Sequence, residues 1–234
     1  MIMPSDKEYK ATKQIMLGQR TMNSDFKELA DWIDKTYDVK TINIIYDTFI
    51  AARKKQSRLQ ICFEFESESL KFRDGTLGNF HADKQDAIAK KFKEILKANK
   101  ATDKRRLTDF FKSSPYVTEN ILIVYSAFEP IARIEANENV PQGKVKELQK
   151  KLDNPDLWEI SRAFSGTTFF VYSDDQVKKY EASQVKKEWT DKYFELLDQY
   201  NEFRYFKREN FSIYLDSKEN FDKNYESNWY YYYK

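Results

Sequence analysis

Leu59–Glu68, LQICFEFESE, is the stretch on which the fold reading turns. Ile61, Phe63 and Phe65 fall on one side of a period-two pattern; Cys62, Glu64, Glu66 and Glu68 fall on the other. That period is the signature of a strand with one face in a core. On this reading the three glutamates form a row of carboxylates about 7 Å apart, since a strand rises ~3.3 Å per residue. Such a comb suits a basic partner, or forms the solvated face of an antiparallel sheet.

Upstream, Ile42–Phe49 (INIIYDTF) reads as another strand, and residues 51–58 (AARKKQSR) as a short polar connector. A connector that short requires antiparallel neighbours. It also places Arg53, Lys54, Lys55 and Arg58 at a hairpin tip with no acid among them, a tip suited to phosphate contact or to solubility.

Downstream, Asp83 begins a helix whose apolar stripe is Ile88, Phe92, Ile95 and Leu96. The strand-then-helix piece LQICFEFESESLKF…KQDAIAKKFKEIL resembles TTFFVYSDDQVKKY…QVKKEWTDKYFELL, which starts at Thr167. A second likeness joins residues 29–49 to 107–128, and the strand pattern recurs at 168–175 and 211–218. Helices are predicted from Ser24 to Lys35, over 107–112, around Val145–Leu152, and from Ser183 to Tyr200. Strands are predicted over 121–128, 167–175 and 211–215, with Pro130 ending or redirecting the first. The expected fold class is α+β: a mixed or antiparallel sheet with packed helices. The expected organisation is an arm or short helix over 1–22 and a single domain over 23–234. Within that domain, a duplicated helix–strand–strand–helix unit spans 24–100 and 103–203, with a half unit over 204–234.

Composition excludes more than it assigns. The chain has 234 residues, with 40 Lys+Arg against 38 Asp+Glu, a net charge of +2. That balance argues against a protein that coats nucleic acid or a polybasic membrane protein, though not against a local patch. There is one histidine, His81, and one cysteine, Cys62, too few for a His/Cys zinc site of about four ligands. Five glycines supply no phosphate-cradling loop. A lone cysteine fits a reducing compartment. No apolar run approaches the ~20 residues of a membrane span, and MIMPSDKEYK lacks the core of a signal peptide. The expected location is cytoplasmic. Aromatics are abundant, 18 Phe, 16 Tyr and 4 Trp, enough to build a core and an interface.

Two constellations remain. Asp47, Asp174, Asp175 and Asp216 follow apolar runs, and Asp216-Ser217-Lys218 has the spacing of metal-dependent phosphodiesterases, in which carboxylates hold Mg²⁺ and a lysine meets developing charge. The other is the aromatic run Trp229–Tyr233 near Lys234, expected to be docked as a terminal strand, with Trp229 and alternate tyrosines such as Tyr231 turned inward, or used as an interface. No nucleophile–base pair or cofactor fingerprint is visible. The sequence therefore predicts no cofactor, no metal and no catalytic residue. It predicts a non-catalytic, cytoplasmic protein-binding factor of bacterial type, immunity or defence associated, whose partner is another protein or a second copy. The rival is a phosphodiesterase or nuclease using Asp47, Asp216 and Lys218; a third reading is a nucleic-acid binder using residues 53–58.

Overall fold

The computed structural model describes residues 2–51, 53–75, 79–103 and 115–234. Their contacts divide into two compact units, Met1–Ile131 and Ala132–Lys234.

The first unit runs α1 (Lys7–Met16), α2 (Lys27–Tyr37), β1 (Thr41–Ala51), β2 (Lys54–Phe63), α3 (Glu66–Leu70), α4 (Ala82–Asp103), β3 (Leu122–Ala127) and the start of α5 (Phe128–Asn139). Strand order is β1-β2-β3, with β1 antiparallel and β3 parallel to β2. The sheet is mixed, as its hairpin connector and long crossover require. Ile44, Leu59, Ile61, Phe63, Ile123 and Tyr125 face a core closed by Leu29 and Ile33 of α2 and Ile88, Phe92 and Ile95 of α4. On α1 the buried residues are Tyr9, which stacks on Phe128, and Thr12, which accepts a bond from Asn43. Pro130 sits in the first turn of α5, where a missing N–H costs no helical bond.

The second unit continues with α6 (Gln142–Leu152), β4 (Leu157–Ala163), β5 (Gly166–Val171), α7 (Asp174–Glu181), α8 (Gln184–Leu197), β6 (Tyr214–Ser217), α9 (Lys218–Tyr225) and a last helical turn, α10 (Trp229–Tyr232). Its sheet has the order β4-β5-β6, again antiparallel then parallel. The core holds Val145, Leu148, Ile160, Phe169, Val171, Trp189, Tyr193 and Leu197.

The two units repeat one another in detail. α2-β1-β2-α3-α4-β3-α5 and α6-β4-β5-α7-α8-β6-α9 have the same order and the same strand pairing. Each first strand is irregular at the same place: Thr41 and Asn43 pair with Phe63 and Cys62, Leu157 and Glu159 with Val171 and Phe170. The stripe Ile88, Phe92, Ile95, Leu96 answers to Trp189, Tyr193, Leu196, Leu197. A pair of hydrogen bonds recurs as well. The Glu129 N–H donates to the Glu64 carbonyl (2.9 Å), and the Glu66 N–H to the Glu129 carboxylate (3.4 Å). In the second unit the Glu219 N–H donates to the Tyr172 carbonyl (3.2 Å), and the Asp174 N–H to the Glu219 carboxylate (3.1 Å). The likeness of 29–49 to 107–128 does not fall on equivalent elements, because β3 answers to β6 rather than β1.

Several expectations are corrected. The strand expected over 59–68 ends at Phe63, and Glu66–Leu70 is helical. The Glu68 carboxylate accepts the N–H groups of Phe65 (2.8 Å) and Lys40 (2.7 Å), so it caps the helix instead of lining a strand. Asp174 and Asp175 open α7 rather than close a strand, and Ser173 caps that helix by accepting from the Gln176 N–H (3.3 Å). The last strand is Tyr214–Ser217, three residues later than expected. The helix predicted over 107–112 and the cluster Lys104-Arg105-Arg106 lie outside the described residues.

Candidate binding surfaces

Asp216 is the penultimate residue of β6, close to where a strand-end catalytic carboxylate would stand, but the chain itself occupies its oxygens. Asn220, one helical turn on, donates to both (2.9 and 3.0 Å). The Ser217 N–H donates to Oδ1 (2.7 Å), and the Tyr232 hydroxyl to Oδ2 (2.5 Å). The partner expected in the phosphodiesterase triplet, Lys218, pairs with Asp222 and lies 5.4 Å from the Trp158 ring. Asp47 lies within β1 rather than at its end. It takes a two-pronged bond from Arg58 (Nε to Oδ1 2.9 Å, Nη2 to Oδ2 2.6 Å) and a third bond from Gln60 (2.9 Å). Arg58 bonding, opposed in part by burial, holds the Asp47 carboxyl below the usual carboxylate range. Among the described residues no group of three or more His, Cys, Asp and Glu has metal-site geometry.

The glutamates expected as a comb have separate tasks. Glu64 pairs with Lys40, Glu66 begins α3, and Glu68 caps it. His81 is exposed just before α4, and its carbonyl accepts from the Gln85 N–H (3.1 Å). Burial in β2 pushes the Cys62 thiol up to about 11, far from thiolate reactivity.

The cationic residues split. Arg58 is a cross-strand partner of Asp47 within the sheet, not a tip residue. Arg53, Lys54 and Lys55 are exposed, at the end of a hairpin whose pairing reaches Ala51↔Lys54. Arg53 sits in the left-handed region, φ 64°.

The C-terminal aromatics dock, but not as a strand. Asn228 Oδ1 accepts from the Tyr230 N–H (2.9 Å) and starts a helical turn. Helical spacing turns Trp229, Tyr232 and Tyr233 inward, onto the sheet face opposite the main core. Trp229 lies 4.2 Å from Phe221, 5.2 Å from Phe170 and 6.1 Å from Trp158, ring centre to ring centre. Tyr233 hydrogen-bonds Ser161 (2.7 Å). Tyr230 and Tyr231 are left outside, 67 % and 48 % exposed, their rings 5.8 Å apart. Tyr214, 65 % exposed, lies on the sheet face that carries Asp216, since the two are two residues apart on β6. Tyr231, expected inward, thus points out, and Tyr232 takes its place. The sequence reading missed Tyr214, whose signal is position: it alternates with Leu215, which packs on the core.

No protein family, curated protein or solved structure matches the chain. Among the described residues no helix is long and apolar enough to cross a membrane.

Proposed function

We propose that the chain is a duplicated α+β module acting as a non-catalytic protein-binding factor, with its contact surface on the second unit around Tyr214, Tyr230 and Tyr231. The observation that carries this is the division of the C-terminal run. Trp229, Tyr232 and Tyr233 anchor the turn, so Tyr230 and Tyr231 stand exposed on a fixed base. Rigid exposed tyrosines give large contact area at little entropic cost, which is why they dominate interface energetics. The engagement of Asp47 and Asp216 by their own neighbours weighs against the phosphodiesterase reading. The immunity or defence association expected from the sequence puts bacterial proteins first among the partners to be tried.

The test is affinity capture from the native host with wild type and with Tyr230→Ala/Tyr231→Ala. The proposal expects one protein held by wild type and lost by the variant, with the melting temperature unchanged. Equal capture by both removes this surface from the function. A melting temperature raised by Mg²⁺ in wild type but not in Asp216→Asn would favour the phosphodiesterase instead.

A further inference from the structure

Among the described residues, the hairpin β1–β2 outruns its sheet. Strand β3 pairs with Arg58–Phe63 only, whereas β1 and β2 remain paired from Thr48↔Ser57 out to Ala51↔Lys54. Of these four pairs, Ser57 is buried and Gln56 donates to the Asn120 carbonyl (3.5 Å), so the free two-stranded end is Ile50–Ala51 with Lys54–Lys55, about 7 Å long. The equivalent hairpin of the second unit closes sooner: β4 has 7 residues against 11 in β1.

The base of the ribbon is stiff. Asp47 and Arg58 are joined across it, Arg58 lies 5.1 Å from the Phe49 ring, and Tyr46 and Ser57 share a hydrogen bond of 3.0 Å. That base engages Asp47, the one acid in the hairpin's own sequence. Beyond it, TFI (48–50) and RKKQS (53–57) contain no carboxylate, and Arg53, Lys54 and Lys55 have no ion-pair partner among the described residues. Opposite Lys55 stands Ile50, 80 % exposed, an apolar side chain at the end of a cationic arm. Arg53 adopts a backbone conformation that favours glycine or asparagine, so its side chain is kept at a conformational cost.

We propose that this ribbon is a contact arm for double-stranded DNA, with Arg53, Lys54 and Lys55 on phosphates and Ile50 against base edges. A two-stranded ribbon fits the B-form major groove, about 12 Å wide, whereas the deep, narrow major groove of A-form RNA excludes it. The overall charge of +2 makes this a local footprint of three cations, weak and sensitive to salt. The proposal stands on the first unit alone and is independent of the aromatic surface of the second.

The experiment is fluorescence anisotropy of the full chain with a labelled random-sequence DNA duplex, an RNA duplex of the same sequence, and heparin as a polyanion. Binding of the DNA duplex is expected, with log K against log salt sloping at about −2.7 for three phosphate contacts, and shallower by about 0.9 for each cation removed. Ile50→Ser should weaken binding and leave the slope alone. Arg53→Gly should weaken binding while raising the melting temperature, because glycine relieves the left-handed backbone. A merely solubilising tip predicts that last stabilisation without any loss of binding. No DNA binding, binding unchanged in Arg53→Ala/Lys54→Ala/Lys55→Ala, or equal binding of the RNA duplex or heparin would each overturn the proposal.

Discussion

Trp229→Ala is the substitution that most directly tests how the second unit is closed. Trp229 is 37 % exposed, so about three-fifths of the residue is out of water, its ring against Phe221, Phe170, Trp158 and Tyr233. Full burial of such a ring is worth about 3–5 kcal/mol on truncation to alanine; scaling by the buried fraction leaves about 2–3 kcal/mol. Urea unfolding followed by far-ultraviolet circular dichroism reads it without relying on the lost fluorophore. With a slope of about 1.5–2 kcal/mol/M, the midpoint of the second unit should fall by about 1–2 M. Tyr230→Ala, on the outward side of the same turn, should stay within about 0.5 kcal/mol of wild type. The reasoning fails if Trp229→Ala costs less than about 0.5 kcal/mol. It fails equally if Tyr231→Ala costs more than Tyr232→Ala, since that is the order a terminal strand would give.

Three shorter predictions follow from the polar contacts. Burial first, and then the bond to Asp216, raise the Tyr232 phenol above its ordinary value, so the folded state holds its proton while the unfolded state releases it near pH 10. Stability is therefore full below that value and declines as pH rises beyond it, and Tyr232→Phe should make the alkaline decline shallower in a melting-temperature titration. Asp47 has the opposite sign: its lowered value gives stability present above the unfolded carboxylate range and lost as pH falls. Asp47→Asn should cost about 1–2 kcal/mol at pH 7, with the two proteins converging in acid by chemical denaturation. Deleting residues 228–234 should lower the melting temperature more than Trp229→Ala does, because it also removes the Tyr232 and Tyr233 hydroxyl bonds.

What was legible in the sequence was what local pattern encodes. Alternation over 59–63 gave an antiparallel hairpin, although the polar residues 54–58 expected as its connector are strand, paired out to Ala51↔Lys54, and the stripes Ile88–Leu96 and Trp189–Leu197 gave the helices behind each sheet. The overrun of the strand to Glu68 has a clear cause. Phe65 prolongs the period-two pattern, yet Glu68, three residues on, bonds its N–H and begins a helix; the acidic half of a capping box was the overlooked signal. A run of five aromatics has no period at all, and Asn228 as a cap was the only mark of a helical turn. The parallel partners β3 and β6 were out of reach, since nothing local says that Tyr125 pairs with Ile61 or Leu215 with Phe169. The same holds for Asp216. Its triplet with Lys218 suggested chemistry, and only the fold brings Tyr232 onto it and leads Lys218 away to Asp222.

The proposed duplication makes a prediction that shared topology alone does not. Similar sheets can arise independently, because the rules of strand connection leave few arrangements. A repeated side-chain contact is harder to obtain that way. Glu129 and Glu219 are each the second residue of the helix after the third strand, and each lends its carboxylate to the first N–H of the helix after the second strand, Glu66 or Asp174. In both units two helix starts meet, and one carboxylate serves both ends favourably, since exposed N–H groups and helix dipoles stabilise negative charge there. Glu129→Ala and Glu219→Ala should therefore act alike, each costing about 1 kcal/mol, as the loss of a capping group does. Each should also loosen its own unit, read as faster amide exchange at Glu66 in one variant and at Asp174 in the other. If one substitution were costly and the other neutral, the contact would be a local accident in one unit, and the case for a common ancestor would fall back on strand order, the matching irregularity of β1 and β4 and the shared backbone bond.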